Sequence, residues 1–256
     1  MKITALKTTH IIQKNEDLIK VLQETFKSNN LFPQENSVLV IAETLVATSQ
    51  GKIIDLNQIT EISEKAKNLA KEYTMDPRFV QIILDESDQI IGGIPKMLFT
   101  EKNGVLIANG GIDKSNSGPG DHYSPWPTEP FETARQISQK IKEIYHLTNF
   151  GTIISDSRVQ PLRKGIVGVA IGVDGFNPVM DCIGKCDLYG HEMEWTQRAL
   201  ADQLTDAAHL VMGECDEQTP FVMIENAPVD FTNEEIAKDA MLFPREDDLF
   251  ARIYKF

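Results

Sequence analysis

The apolar run Val38-Leu39-Val40-Ile41-Ala42, continued after Glu43 by Thr44-Leu45-Val46, limits this chain more than any other feature. A stretch so rich in β-branched side chains has no polar face to leave in water, so residues 37–48 read as a buried strand ended at Gly51. Residues 166–173 form a second, glycine-spaced strand, and Thr152-Ile153-Ile154 a short one ending on Ser155-Asp156-Ser157. Between them the apolar period becomes helical. Helices are expected over 17–26, over 60–74 with Thr60 as cap, from Asp76-Pro77 to about residue 85, over 132–146, and most strongly over 195–212 before Gly213. Apolar triplets from Gln89 to Ile107, separated by Gly92-Gly93 and Asn103-Gly104, predict hairpins. Residues 221–224 predict a last strand, followed by a tail with a helix near Asn233. The sum is an α/β protein with mixed or antiparallel sheets and flanking helices, read as one domain over 1–256 with residues 227–256 as a C-terminal tail.

At 256 residues the chain can bury a core without disulfides or a structural metal. Its 38 acidic and 25 basic residues leave a net charge of -13, which opposes broad gripping of nucleic acid or anionic lipid. Local cations, backbone amides or bound divalent ions can still reverse the potential inside one cleft. Cys182, Cys186 and Cys215 are odd in number and lack the spacing of a redox pair or zinc knuckle, which points to reduced thiols. No window approaches the ~18–20 apolar residues of a membrane span, and no apolar leader follows a basic start. A cytoplasmic protein without nucleic-acid or membrane partners is expected.

Three carboxylates stand where apolar elements end: Asp113 after Val105–Ala108, Asp156 after Ile153-Ile154, and Glu214 after the long helix. Carboxylates so placed suit hard cations, and the Ser157 hydroxyl can add an oxygen; any one of them alone reads better as a cap or turn residue. The stretch Ala108-Asn109-Gly110-Gly111-Ile112-Asp113-Lys114-Ser115-Asn116 combines mobile backbone with one cation, as a phosphate-wrapping loop or a structural turn does. It lacks the spacing of a P-loop. Arg158, Arg163 and Lys164 cluster just beyond Asp156, either to hold an anion or simply to meet solvent. The five histidines show no metal-ligand spacing, no serine elbow appears, and no general base can be singled out.

Taken together, these stretches resemble the coenzyme F420:L-glutamate ligase family of GTP-dependent γ-glutamyl ligases. The resemblance rests on the Ala108–Asn116 block, Ile154-Ser155-Asp156-Ser157 with Pro161 and Arg163-Lys164-Gly165, Val169-Ala170-Ile171-Gly172, Asp187-Leu188-Tyr189-Gly190 and Met212-Gly213-Glu214, in that order. It implies two divalent cations, Mg or Mn, one on Asp113 and Asp156 and the other on Ser157 and Glu214. It also implies GTP as co-substrate, contacted by Asn116 and by the segment from Met212 and Gly213 to Thr219. L-glutamate joined to a cofactor carboxylate through an acyl phosphate, and a homodimer of mutually wrapped protomers, follow from the same resemblance.

Thr48 stands where the family usually has a lysine near the phosphates, and the loop 118–130 departs from the family sequence. Tyr123 and Trp126 could stack on a flat acceptor ring there, or Trp126 could anchor the loop to the core. Similar bacterial proteins are linked to folate metabolism, so a folate-type acceptor stands beside the deazaflavin. The alternative from another class is a non-catalytic nucleotide- and metal-binding homologue.

Overall fold

The computed structural model describes residues 1–250. In chain order its elements are β1 (Lys2–Leu6), α1 (Leu18–Ser28), β2 (Ser37–Ala42), α2 (Glu43–Ser49), β3 (Ile54–Asp55), α3 (Glu64–Tyr73), α4 (Pro77–Glu86) and the strands β4 (Gln89–Ile94), β5 (Met97–Lys102) and β6 (Val105–Ala108). Then come β7 (His122–Tyr123), α5 (Pro130–Tyr145), β8 (Phe150–Val159), β9 (Ile166–Asp174), β10 (Val179–Asp181), β11 (Gln197–Ala199), α6 (Leu200–Met212) and β12 (Phe221–Glu225). The α/β class with mixed and antiparallel sheets holds.

The apolar run is the central strand of a five-stranded sheet ordered β1-β12-β2-β8-β9. Only β2 and β8 run parallel; the other neighbours are antiparallel. Along β2, Leu39 and Ile41 enter a core beneath α1 and α5, while Val38 and Val40 enter a second core beneath α6. Helices cover both faces, which is why no polar alternation appears in that sequence. Burying each such Leu, Ile or Val contributes roughly 1.5–3 kcal/mol. A bulge between Ile154 and Ser155 of β8, opposite Ile171, shifts the β8–β9 register, so Ile171 and Val173 fall in different cores despite their even spacing. The free edge of β9 is not left open: Asp206 and Asp202 of α6 accept from the amides of Gly168 and Ala170 at 2.7 and 2.9 Å. A three-stranded sheet, β4-β5-β6, sits with α3 and α4, whose facing sides share a third core with Leu98, Ile112 and Tyr123.

Several boundaries differ from the sequence expectation. The strand expected over 37–48 stops at Ala42, and Glu43–Ser49 is a helix that buries Leu45, Val46 and Ala47. The cap of α3 is Ser63, whose hydroxyl accepts from the Ala66 amide at 3.2 Å, not Thr60. Helix α6 starts at Leu200, because residues 197–199 pair with β10 and leave Trp195 in solvent. Strand β8 runs on through Asp156 instead of ending before it. No helix forms near Asn233: after the Phe231 bridge to Phe176, residues 232–250 are turns, bends and irregular chain, tied back by Arg245 on Glu101 at 2.7 Å and by Leu242 against Gly104. The rest of the tail lies outside the described residues. Among those described, no helix is long and apolar enough to cross a membrane.

Candidate active site

The parallel pair β2–β8 is in register at Ala42 and Ser155, so the next residues, Glu43 and Asp156, emerge side by side at the carboxyl end of the paired stretch, where β2 stops and β8 runs on. In open α/β sheets that end is where ligands collect. Alternation along β8 turns Asp156 toward the Trp126 side and Ser155 toward α6. Both oxygens of Asp156 are held: the Trp126 indole Nε1 donates to Oδ2 at 2.6 Å and the Ser157 amide to Oδ1 at 2.6 Å. Trp126 is only 2% exposed, with its ring under the Lys102 ammonium at 5.5 Å. Gly111 makes this approach possible, since a Cβ there would lie 2.2 Å from the indole nitrogen, and its φ of +65 is itself one that glycine favours.

Asp113 faces Asp156 from the loop after β6. Paired backbone bonds with Ser124, at 3.0 and 2.8 Å, fix its position, and the Ser115 amide donates to its carboxylate at 2.9 Å. Glu214 follows Gly213, the C-cap of α6. Its carboxylate lies 3.4 Å from Nδ1 of His209 in the last helical turn, and Nε2 of the same ring is 3.1 Å from the Ser155 hydroxyl. Ser155, His209 and Glu214 thus line up in the order of a hydrolase triad, yet Ser155 is fully buried and has no path to a carbonyl. The line positions Glu214 instead.

A cavity of about 630 Å³ joins these groups. Asp113, Asp156, Ser157 and Glu214 line it together with Asn116, Thr48, Met212, Gly213 and Thr219, so one space brings together the residues that the family resemblance assigned to metal and nucleotide, and Thr48. Asn116 reaches across to donate to the Cys215 carbonyl at 3.2 Å, and Thr219 donates to that of Met212 at 2.6 Å, which closes the segment 212–219 around the opening. Arg158, Arg163 and Lys164 are absent from the lining, and Arg158 approaches Asp202 at 3.8 Å. The aromatic rings of the 118–130 loop are not offered to a ligand: Trp126 is core, and Tyr123 stacks on Phe79 with centroids 4.7 Å apart. Of the two readings of Trp126, the structure selects the anchor.

Glu43 and His209 had escaped the sequence reading. The rule that found Asp113 and Glu214, a carboxylate directly after an apolar element, also selects Glu43 once β2 is ended at Ala42. No comparable signal marks His209.

The lining carries six carboxylates, Glu43, Asp113, Asp156, Glu214, Asp216 and Glu217, and neither lysine nor arginine. Burial pushes Asp156 up to about 6, with the Asp113 charge adding to the rise against the Trp126 and Ser157 hydrogen bonds. Glu43 is pushed well above the carboxylate range, first by burial and then by the charge of Asp156. Carboxylates that resist ionising beside one another form a donor set suited to hard divalent cations. Among the described residues no three His, Cys, Asp or Glu side chains form a complete metal cage. Mg-type sites need only one or two carboxylates, completed by water and phosphate oxygens.

The family model for F420-0:gamma-glutamyl ligases matches residues 7–226. The chain is 42% identical over 220 residues to the coenzyme F420:L-glutamate ligase of Methanocaldococcus jannaschii, covering 85% of each. It is 39% identical over 241 residues to the ligase of the same name from Methanococcus maripaludis, covering 94% of this chain and 93% of the relative. With the Archaeoglobus fulgidus ligase the identity is 32% over 247 residues, 96% of this chain and 94% of the relative. The family match spans four of the five strands of the central sheet, the metal-suited carboxylates and the segment that closes the cavity, and so the chain belongs to the F420-0:gamma-glutamyl ligase family, enzymes that form an amide bond.

Proposed function

We propose that this enzyme joins L-glutamate to the carboxylate of a coenzyme F420 precursor, with GTP as phosphoryl donor and two Mg or Mn ions. The observation that carries this reading is the convergence of Asp113, Asp156, Ser157 and Glu214 on one cavity that has no lysine or arginine in its lining. Asp113 and Asp156 hold one ion, and Ser157 and Glu214 the other. When bound, the ions offset the charge of phosphates and carboxylates meeting in one place and align them for transfer. The names of the curated relatives favour the F420-type acceptor over a folate.

In the first step an acceptor carboxylate oxygen attacks the γ-phosphorus and GDP leaves, giving an acyl phosphate. The α-amine of L-glutamate then attacks the acyl carbon, phosphate leaves and the amine loses a proton. Trp126 and the Ser157 amide keep Asp156 from rotating, His209 does the same for Glu214, and Asn116 ties the nucleotide loop shut. Such fixed donors need no reorganisation during the reaction. The protein acts as a homodimer, a reading supported by the apolar side chains left in water: Leu188 is 98% exposed, Trp195 85% and Leu210 86%. Three free thiols fit a reducing cytoplasm.

An acceptor screen tests the assignment. Purified protein, L-glutamate, GTP or ATP, and Mn or Mg are incubated with F420 precursor or with a pterin-linked acceptor and read by mass spectrometry. The expected product is the F420 precursor heavier by one glutamyl unit, with GTP preferred. Ligation of the pterin acceptor alone would transfer the proposal to folate chemistry.

A further inference from the structure

Lys114, the one cation of the Ala108–Asn116 block, does not enter the active-site cavity. Its ammonium lies 2.9 Å from Asp121 and 5.4 Å from the centroid of the Tyr123 ring. There it lines a second cleft of about 370 Å³ with Arg78 and Lys96. The loop 113–121 is a wall shared by both spaces: Asp113, Ser115 and Asn116 line the first, Lys114 and Asp121 the second. Three cations against Asp76 and Asp121 give this cleft a positive balance, in a protein of net charge -13 whose first cavity has only carboxylates and histidines as ionisable groups apart from Cys215.

Two of the cations are partly neutralised, Arg78 by Asp76 at 2.7 Å and Lys114 by Asp121. The Lys96 ammonium has no ion-pair or hydrogen-bond partner among the described residues. Lys96 also occupies a backbone position that disfavours a side chain. It is the second residue of the Pro95-Lys96 turn between β4 and β5, with φ +75, where glycine is preferred, and its amide is pinned to the Tyr73 carbonyl at 2.6 Å. A lysine there works against the turn and supplies an unpaired charge to the cleft.

We propose that this cleft binds an anionic group of the acceptor substrate, a carboxylate or phosphate remote from the reacting carboxylate, on the far side of the loop that carries Asp113. The inference rests on the ligase reading above. It concerns anion recognition alone, because Phe79 stacks on Tyr123 and Lys114 sits over the same ring.

The test uses the full chain with Lys96→Gly, Lys114→Gln and the double variant. First, γ-L-glutamyl-L-glutamate and inorganic phosphate are titrated calorimetrically without nucleotide or metal. Each single variant is expected to weaken binding about three- to tenfold, as an exposed charge contact does, and the double variant to abolish it. Binding of the dipeptide alone assigns the cleft to carboxylates, binding of phosphate alone to a phosphate group. Lys96→Gly should melt no lower than the parent, since glycine suits the turn, which separates loss of binding from loss of fold. In ligation assays the KM for acceptor should rise while that for GTP stays constant. Probe binding and acceptor KM both unchanged in the double variant would overturn the proposal while leaving the ligase assignment intact. Absence of ligation would instead count against that assignment, with the calorimetry still reporting on the cleft.

Discussion

Asp156 concentrates the chemistry of the site in one side chain. It is buried in the middle of a strand, and Trp126 and Ser157 fix both oxygens. Asp156→Asn should abolish ligation and lose Mn affinity in a metal titration, while the metal-free melting temperature does not fall, because the removed charge is one that burial already opposes. Turnover retained at saturating Mn would sink the metal assignment. Thr48 makes the reverse case. Its hydroxyl donates to the Thr44 carbonyl at 2.7 Å and its side chain lines a cavity without lysine or arginine. Thr48→Lys should tighten GTP binding by about one to two decades, from a charge-assisted contact of roughly 1.5–3 kcal/mol. Equal GTP affinity in the parent and variant, read by calorimetry, would show that bound cations already saturate the phosphates. Asp113, Glu214 and Thr48 were legible from sequence because each follows an apolar run or breaks a family block. Glu43 was hidden by the misplaced end of β2. His209 was invisible because its partners, Ser155 and Glu214, come from different elements.

At the scale of elements, the errors share a cause: local composition was read where packing decides. Leu45 and Val46 continue the apolar texture of β2, yet they pack as the buried face of α2. Trp195 strengthened the apparent amphipathic stripe of α6, but the β10–β11 pairing takes residues 197–199 out of the helix. The cores themselves were legible, since the continuous apolar runs of β2 and β12 and the helical spacing in α1 and α5 need no tertiary information. What no local pattern shows is how the loop 118–130 docks, and that depends on Gly111. Gly111→Ala should destabilise the protein by about 2 kcal/mol or more, from the positive φ and from a Cβ that collides with the Trp126 indole. The urea midpoint measures the first effect. Mn affinity should fall as well, because Trp126 would withdraw its hydrogen bond from Asp156. A destabilised variant with parental metal affinity would separate the loop from the site.

For the whole molecule, net charge and buried carboxylates act in the same direction. Asp156 is raised from 3.8 to about 6 by burial, with the Asp113 charge adding to the rise and the Trp126 and Ser157 hydrogen bonds and His209 opposing it; burial pushes Glu43 well above its usual range, and also raises Asp174 and Asp202. A carboxyl whose folded value exceeds its unfolded one binds more protons in the native state. Its stabilising contribution is therefore complete below the unfolded value and is lost as pH rises through the folded one, here between 3.8 and about 6 for Asp156. The excess of 13 negative charges adds self-repulsion as the same groups ionise. In EDTA the protein should accordingly melt higher at about pH 5.5 than at about pH 7.5. Divalent cations reverse the balance, since they bind the ionised carboxylates and only to the folded chain. Saturating Mg or Mn should raise the melting temperature clearly at the higher pH and little at the lower, and Asp156→Asn should flatten both dependences. Scanning calorimetry at the two pH values, with and without metal, supplies all the comparisons. A metal-free protein most stable at the higher pH would mean that Glu43, Asp113 and Asp156 do not face one another in a common space.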